Sequence, residues 1–147
     1  MTELIQLTIL VILIGSFLLE KWLEYLNMSH TVTDLPPELD SIYDEKEYRR
    51  SQLYKKENTR FSFLSSTVSL IIMVALVATG FFGLLDSFLQ EHTQSYYILV
   101  LLFFGVLGFA SDLLSVPFEI YDTFKIEEKY GFNKTTPSTF VKDKLKG

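Results

Sequence analysis

Two long stretches without a charged side chain constrain this chain more than any other feature of its sequence. Residues Phe61 to Leu85 form a run of 25 such positions, and residues Thr93 to Ser111 form another of 19. An α-helix needs about 20 predominantly apolar residues to cross the hydrocarbon core of a bilayer. The sequence therefore predicts an integral membrane protein whose fold is all-α.

A third apolar segment, Leu4 to Leu19, lies at the start of the sequence. A cleaved signal peptide would carry Lys or Arg before its apolar run and small residues after it. Here Thr2-Glu3 stands before the run, and the segment from Glu20 to Tyr25 follows it. We therefore predict a retained first helix, with Trp22 and Tyr25 near the lipid headgroups.

The positions of the 13 Lys and Arg residues predict one orientation in the membrane. None precedes the first helix or lies between the second and third. Seven lie between the first and second helices and six follow the third: Lys21, Lys46, Arg49, Arg50, Lys55, Lys56 and Arg60, then Lys125, Lys129, Lys134, Lys142, Lys144 and Lys146. The positive-inside rule places the N-terminus and an Asp86 to Ser95 loop outside, and both long polar segments in the cytoplasm.

The predicted organisation is three transmembrane helices, at about 4–26, 61–86 and 95–117, with cytoplasmic segments 27–60 and 118–147. Pro36-Pro37 can begin a helix, because the first turn needs no N–H donor from proline. Apolar and aromatic residues then recur at helical spacing up to Tyr54, so we expect an amphipathic extension that runs into the second helix. We expect its tyrosines to rest on the membrane surface rather than to contact a ligand.

One acidic residue lies at the edge of the third predicted span. Gly105, Gly108 and Ser111 allow close helix packing, and Asp112 follows on the same face. A carboxylate that faced lipid would cost on the order of 3 kcal/mol. Asp112 therefore either points to protein or a wet cavity, or is hydrated near the inner surface, where Pro117 predicts the end of the helix.

The sequence offers no catalytic or metal-binding residues. It contains no cysteine and two histidines, His30 and His92, which the predicted topology places on opposite sides of the membrane. Neither begins the H-E-x-x-H spacing that sets two imidazoles on one helix face around zinc. The net charge of −5 argues against a nucleic-acid partner.

The last polar segment carries a family resemblance. Phe124-Lys125-Ile126-Glu127-Glu128-Lys129-Tyr130-Gly131-Phe132-Asn133, together with Tyr48-Arg49-Arg50-Ser51-Gln52-Leu53-Tyr54 and Asp143-Lys144-Leu145-Lys146-Gly147, resembles the N-terminal region of the type I CAAX prenyl proteases. These are integral-membrane zinc endopeptidases, and the resemblance covers essentially the whole chain.

The resemblance implies a longer all-helical parent that encloses a water-filled chamber in the bacterial inner membrane or the endoplasmic reticulum. Its zinc would be held by an H-E-x-x-H helix and a downstream glutamate, all expected after Gly147. We therefore expect this chain to bind no cofactor and to be inactive alone. Its implied partners are the lipid bilayer, the remainder of the protease and a peptide or prenylated-protein substrate of the parent.

The resemblance also suggests which residues shape the chamber or the substrate passage. Gly131 and Asn133 favour turns, and aromatic residues surround them. We expect the segment 124–136 to be loosely ordered in this chain, for want of polypeptide to pack against, although it could also be a loop that only packs on the parent. The candidates are Asp112, Phe124, Glu127, Glu128, Gly131, Phe132 and Asn133.

Two other function classes remain open from the sequence. Three helices with mixed-charge inner segments would suit a small membrane scaffold or accessory protein. A transporter fragment in which Asp112 belongs to an ion path is the other class.

Overall fold

The computed structural model describes residues 2–29, 35 and 44–146. Within them the chain forms five α-helices and one π-helical turn. These are α1 (Thr2–Ser29), α2 (Glu45–Ala78), α3 (Phe81–His92), α4 (Tyr96–Tyr121), the π-helical turn (Asp122–Glu127) and α5 (Pro137–Lys146). The predicted all-α fold is confirmed.

Three of these helices are long and apolar enough to cross a membrane: α1, α2 and α4, which continues through the π-helical turn. Their apolar side chains point outwards, as Leu101 (73 % exposed) and Phe109 (73 % exposed) illustrate. Among the described residues, the buried apolar side chains are Leu89 and Ile126. A chain with so little apolar interior gains its stability in lipid, where exposed apolar surface is not penalised.

Helices α1 and α2 form an antiparallel pair. Near one end, Gln6 Nε2 donates to the Val77 carbonyl over 2.7 Å, which satisfies an acceptor in the last turn of α2. Further along, the rings of Phe17 and Phe63 lie 6.5 Å apart. Lys21 is buried beside them, with its Nζ 2.6 Å from a Glu24 oxygen. The same Nζ lies 5.7 Å and 5.5 Å from the two ring centroids.

The polar extension and the second span are one continuous helix, as the sequence predicted. Asp44 caps α2, because its carboxylate accepts from the backbone N–H groups of Lys46 (2.9 Å) and Glu47 (3.1 Å). The helix then runs for 34 residues. The predicted start at Pro36-Pro37 lies outside the described residues.

The second predicted span, about 61–86, is not one continuous helix. Helix α2 ends at Ala78, and Gly80 adopts a left-handed φ of 68° that starts the separate helix α3. The predicted Asp86 to Ser95 loop is therefore mostly helical, and only residues 93–95 connect α3 to α4. The break depends on backbone conformation at a glycine, and the charge-free pattern continues across it.

The helix of the third predicted span does not end at Pro117. Helix α4 passes through Pro117 and reaches Tyr121, and the π-helical turn extends it to Glu127. A proline removes one backbone hydrogen bond from a helix interior but does not always end the helix. The C-terminal end of α4 is thereby brought against α2, where Phe61 stacks on Tyr121 with centroids 4.9 Å apart.

Candidate functional site

The segment that follows the π-helical turn packs against the polar extension of α2. The Tyr54 ring lies 4.9 Å from the ring of Phe132 and 5.8 Å from the ring of Tyr130. The Arg50 guanidinium lies 5.1 Å from the Phe132 centroid, within cation–π distance. Phe132 thus contacts both an aromatic ring and a cation of α2.

A charged contact joins the same two elements. The Glu57 carboxylate accepts from Lys129 Nζ and from the Tyr130 hydroxyl, each over 2.6 Å. The hydrogen bond that Lys129 donates to Glu57 raises the pKa of Lys129, and the hydrogen bond that Tyr130 donates to Glu57 raises the pKa of Tyr130. We call these six residues the α2–loop cluster: Arg50, Tyr54, Glu57, Lys129, Tyr130 and Phe132.

The turn that presents Phe132 is stabilised by its own backbone. Gly131 has a φ of 71°, which an L side chain rarely adopts. The carbonyl of Glu127 accepts from the N–H groups of Phe132 (2.9 Å) and Asn133 (3.3 Å). Asn133 Nδ2 donates to the Glu128 carboxylate over 2.9 Å. Five of the seven candidate residues therefore form one structured turn: Glu127, Glu128, Gly131, Phe132 and Asn133.

Two expectations are corrected here. We expected the segment 124–136 to have no polypeptide to pack against in this chain, but α2 supplies Tyr54 and Glu57. Of the tyrosines that we expected on the membrane surface, Tyr54 instead contacts the rings of Tyr130 and Phe132.

Asp112 lies in a second group of contacts, between α4 and α5. Lys144 of α5 approaches Asp112 Oδ1 to 2.7 Å and Glu119 Oε1 to 2.8 Å. Ser115 lies between the two carboxylates and donates to Glu119. The hydrogen bonds to Asp112 and Glu119 raise the pKa of Lys144. We call these four residues the α4–α5 clamp.

The Asp112 carboxylate pairs with Lys144 of α5, and 55 % of its side chain stays exposed. The pairing offsets part of the cost of a charge near the membrane. Both alternatives left open for Asp112, contact with protein and hydration near the membrane surface, fit this geometry. Phe124, the remaining candidate, packs edge-on against Phe140 of α5, with centroids 5.7 Å apart.

Sequence reasoning missed the partners of these residues, although the spacing offered a signal. Arg50, Tyr54 and Glu57 recur at i, i+4 and i+7, which is one face of a helix. Asp112, Ser115 and Glu119 recur at i, i+3 and i+7 on α4. No spacing in the sequence pointed to Asp122, whose buried Oδ1 lacks a hydrogen-bond partner among the described residues.

The described residues do not fit a metal centre. Across 2–29, 35 and 44–146, no group of three or more His, Cys, Asp or Glu side chains could hold a metal ion. His92 lies at the end of α3 and bonds through Nδ1 to the Phe88 carbonyl.

Comparison with known proteins agrees with this architecture. The family described as "CAAX prenyl protease N-terminal, five membrane helices" matches residues 24–147. The human CAAX prenyl protease 1 homolog is 34 % identical over 154 residues, which cover 90 % of this chain and 31 % of that protein. The Caenorhabditis elegans CAAX prenyl protease 1 homolog is 30 % identical over 111 residues, which cover 76 % of this chain and 24 % of that protein.

A solved structure shares the fold. The crystal structure of S. mikatae Ste24p superposes with a TM-score of 0.84 at 28 % identity, over 96 % of this chain and 34 % of that one. The chain thus spans about a quarter to a third of the length of the two curated relatives. The match over residues 24–147 shows that this chain belongs to the CAAX prenyl protease family, as a stretch of its N-terminal membrane region.

Proposed function

We propose that this chain is the non-catalytic N-terminal transmembrane portion of a CAAX prenyl protease. In this proposal α1, α2 and α4 contribute to the wall of the membrane chamber, and the α2–loop cluster shapes the passage by which substrate reaches the catalytic centre. The observation that carries the proposal is the packing of the Gly131-Phe132-Asn133 turn on Arg50 and Tyr54, at the inner end of the spans.

The chemistry of this cluster suits a passage for a peptide with an apolar attachment. Phe132 packs on α2 and still exposes 39 % of its surface, which leaves apolar area for a ligand. Arg50 and Lys129 add positive charge beside it, and Glu57 and Glu128 add acceptors for peptide N–H groups. The substrate class in this proposal is a peptide or prenylated protein.

The zinc expected for the parent enters this proposal only as a partner outside the chain. The described residues do not fit a metal, so the ligands would come from the remainder of the protease. The chain alone would then neither bind zinc stoichiometrically nor cleave peptides. The proposed orientation keeps the N-terminus outside and the α2–loop cluster in the cytoplasm, because every Lys and Arg lies on that side.

The coding sequence beyond Gly147 gives the first test. An H-E-x-x-H motif downstream would support the protease parent. A stop codon directly after Gly147 would instead favour a small scaffold.

The second test measures cleavage of a prenylated peptide by the full-length protein. Phe132→Ala should lower kcat/KM by about tenfold, because loss of one positioning contact corresponds to roughly 1.4 kcal/mol. Zinc content should stay unchanged. Phe109→Ala serves as the control, because it removes a ring of the same size from α4, outside the α2–loop cluster. Normal turnover of the Phe132→Ala enzyme would reduce the turn to a packing element.

A further inference from the structure

A polar cleft lies between α1 and α2, apart from the α4–α5 clamp and on the α1 side of the α2–loop cluster. It has a volume of about 290 Å³ and is lined by Glu24, Tyr54, Lys55, Asn58, Thr59 and Ser62. Five of these residues stand on two successive turns of α2, and Glu24 faces them from α1. We propose that this cleft binds the headgroup of a phospholipid that carries a primary ammonium, such as phosphatidylethanolamine.

The position of the cleft along the helices fits a headgroup. Ser62 is the second residue of the charge-free run of α2, and the other α2 residues of the cleft precede that run. On α1, Trp22 and Tyr25 flank Glu24 and are 60 % and 63 % exposed. Exposed Trp and Tyr side chains concentrate at the level of the headgroups. The cleft therefore lies where hydrocarbon gives way to the polar interface.

The lining carries charges of both signs, which a zwitterionic headgroup would complement. Lys55 supplies a cation for the phosphate, and the hydroxyls of Thr59 and Ser62 can donate to phosphate oxygens. Glu24 supplies a carboxylate. Its Oε2 accepts from the buried Lys21 over 2.6 Å, and a carboxylate has capacity for several further donors.

The shape and rigidity of the cleft limit its occupant to a small group. Its volume is at the lower limit of ligand pockets, which suits a headgroup rather than a peptide. Two walls are fixed by other contacts. Asn58 Nδ2 donates to the Tyr54 hydroxyl over 3.3 Å, and the Tyr54 ring packs on Tyr130. Lys21 fixes Glu24 between the two helices.

The carboxylate distinguishes among headgroups. A primary ammonium donates hydrogen bonds to Glu24, whereas the quaternary ammonium of phosphatidylcholine has no N–H to donate. Phosphatidylglycerol can place its phosphate on Lys55 but has no cation for Glu24, so its net negative charge is left beside that carboxylate. The expected order of affinity is phosphatidylethanolamine, then phosphatidylcholine, then phosphatidylglycerol.

Native mass spectrometry of the full-length protein in detergent, with each of the three lipids added at equal concentration, tests the proposal. We expect retained phosphatidylethanolamine, and about a tenfold loss of affinity in Lys55→Gln, which removes one charge-assisted hydrogen bond. Ser62→Leu, which fills the cleft, should lose the lipid as well. Lys56→Gln, the neighbouring exposed lysine outside the cleft, should bind like the wild type.

Three results would overturn the proposal. Equal retention of all three lipids would mean a nonspecific annulus. Unchanged binding by both Lys55→Gln and Ser62→Leu would place the lipid elsewhere. Binding of soluble O-phosphoethanolamine without retention of phosphatidylethanolamine would identify a free phosphate ester, not a membrane lipid, as the source of the headgroup chemistry. Circular dichroism of each variant verifies that the helices remain formed.

Discussion

At the scale of single residues, the Glu57 carboxylate accepts from both a cation and a hydroxyl of the segment that follows the π-helical turn, Lys129 and Tyr130. Its replacement by Gln keeps the shape and removes the charge that Lys129 and Tyr130 contact. The side chains of Glu57 and Lys129 are 34 % and 59 % exposed, and exposed ion pairs contribute little. We expect amide hydrogen exchange in residues 128–133 to become about two- to fivefold faster.

Glu47→Gln is the matched control for this change, because Glu47 lies in the first turn of the same helix and is exposed. Exchange in the loop should be the same in this variant as in the wild type. If Glu57→Gln left exchange in residues 128–133 unchanged, the aromatic packing of Phe132 on Tyr54 would be sufficient to hold the loop.

At the scale of helices, the break between α2 and α3 depends on Gly80. An added Cβ at this position meets no atom within 4 Å, so the cost of Gly80→Ala comes from the left-handed backbone alone. We expect a loss of about 1 kcal/mol of unfolding free energy. Gly83→Ala also adds a Cβ in open space, but within helix α3, where alanine should be neutral or stabilising by up to about 1 kcal/mol. Thermal unfolding in detergent measures the change in stability of both variants.

Helix α5 depends on the α4–α5 clamp, and this makes its attachment sensitive to alkaline pH. The pKa of Lys144 is raised above its ordinary value of 10.5 by Asp112 and Glu119. A raised lysine pKa gives stability that is complete below 10.5 and is lost as the pH rises through the raised value. Hydrogen exchange of residues 137–146, corrected for its intrinsic pH dependence, should therefore accelerate in that range.

The same exchange measurement at neutral pH tests the clamp by substitution. Lys144→Met should accelerate exchange of α5 several-fold, because two carboxylates lose their shared cation. Lys142→Met changes an exposed lysine of the same helix and should leave exchange unchanged. Equal effects of the two substitutions would show that helix propensity, and not the clamp, holds α5.

The elements differ in how far the sequence could predict them. Charge-free runs of 25 and 19 residues required spans, and the structure has them. The ends of α2 and α4 could not be predicted, since Gly80 breaks a helix inside apolar sequence and Pro117 does not. The passage turn was predicted from Gly131 and Asn133, but its partners were not, because the contact with Tyr54 joins residues 76 or more positions apart.

At the scale of the whole molecule, the arrangement separates two kinds of surface. The outer faces of α1, α2 and α4 are apolar. The contacts that tie distant segments together by charge lie in the N-terminal part of α2 and the C-terminal part of α4: Glu57 with Lys129, and Asp112 and Glu119 with Lys144. Apolar surface thus suits the spans to a bilayer, and specific polar contacts hold the segments that follow them.

The orientation of this arrangement is the last prediction. The sequence has no cysteine, so single cysteines can be introduced without background. Ser95 is the exposed residue that caps α4, and Ser95→Cys should be labelled from outside intact cells by a membrane-impermeant maleimide. Ser51→Cys should not be labelled, but Ser51 is half-buried, so Lys56→Cys, exposed on the same helix, supplies an accessible inner position. Ser51→Cys and Lys56→Cys should react only after the membrane is permeabilised. Labelling of Lys56→Cys in intact cells would reverse the orientation, and the α2–loop cluster would then face away from the cytoplasm.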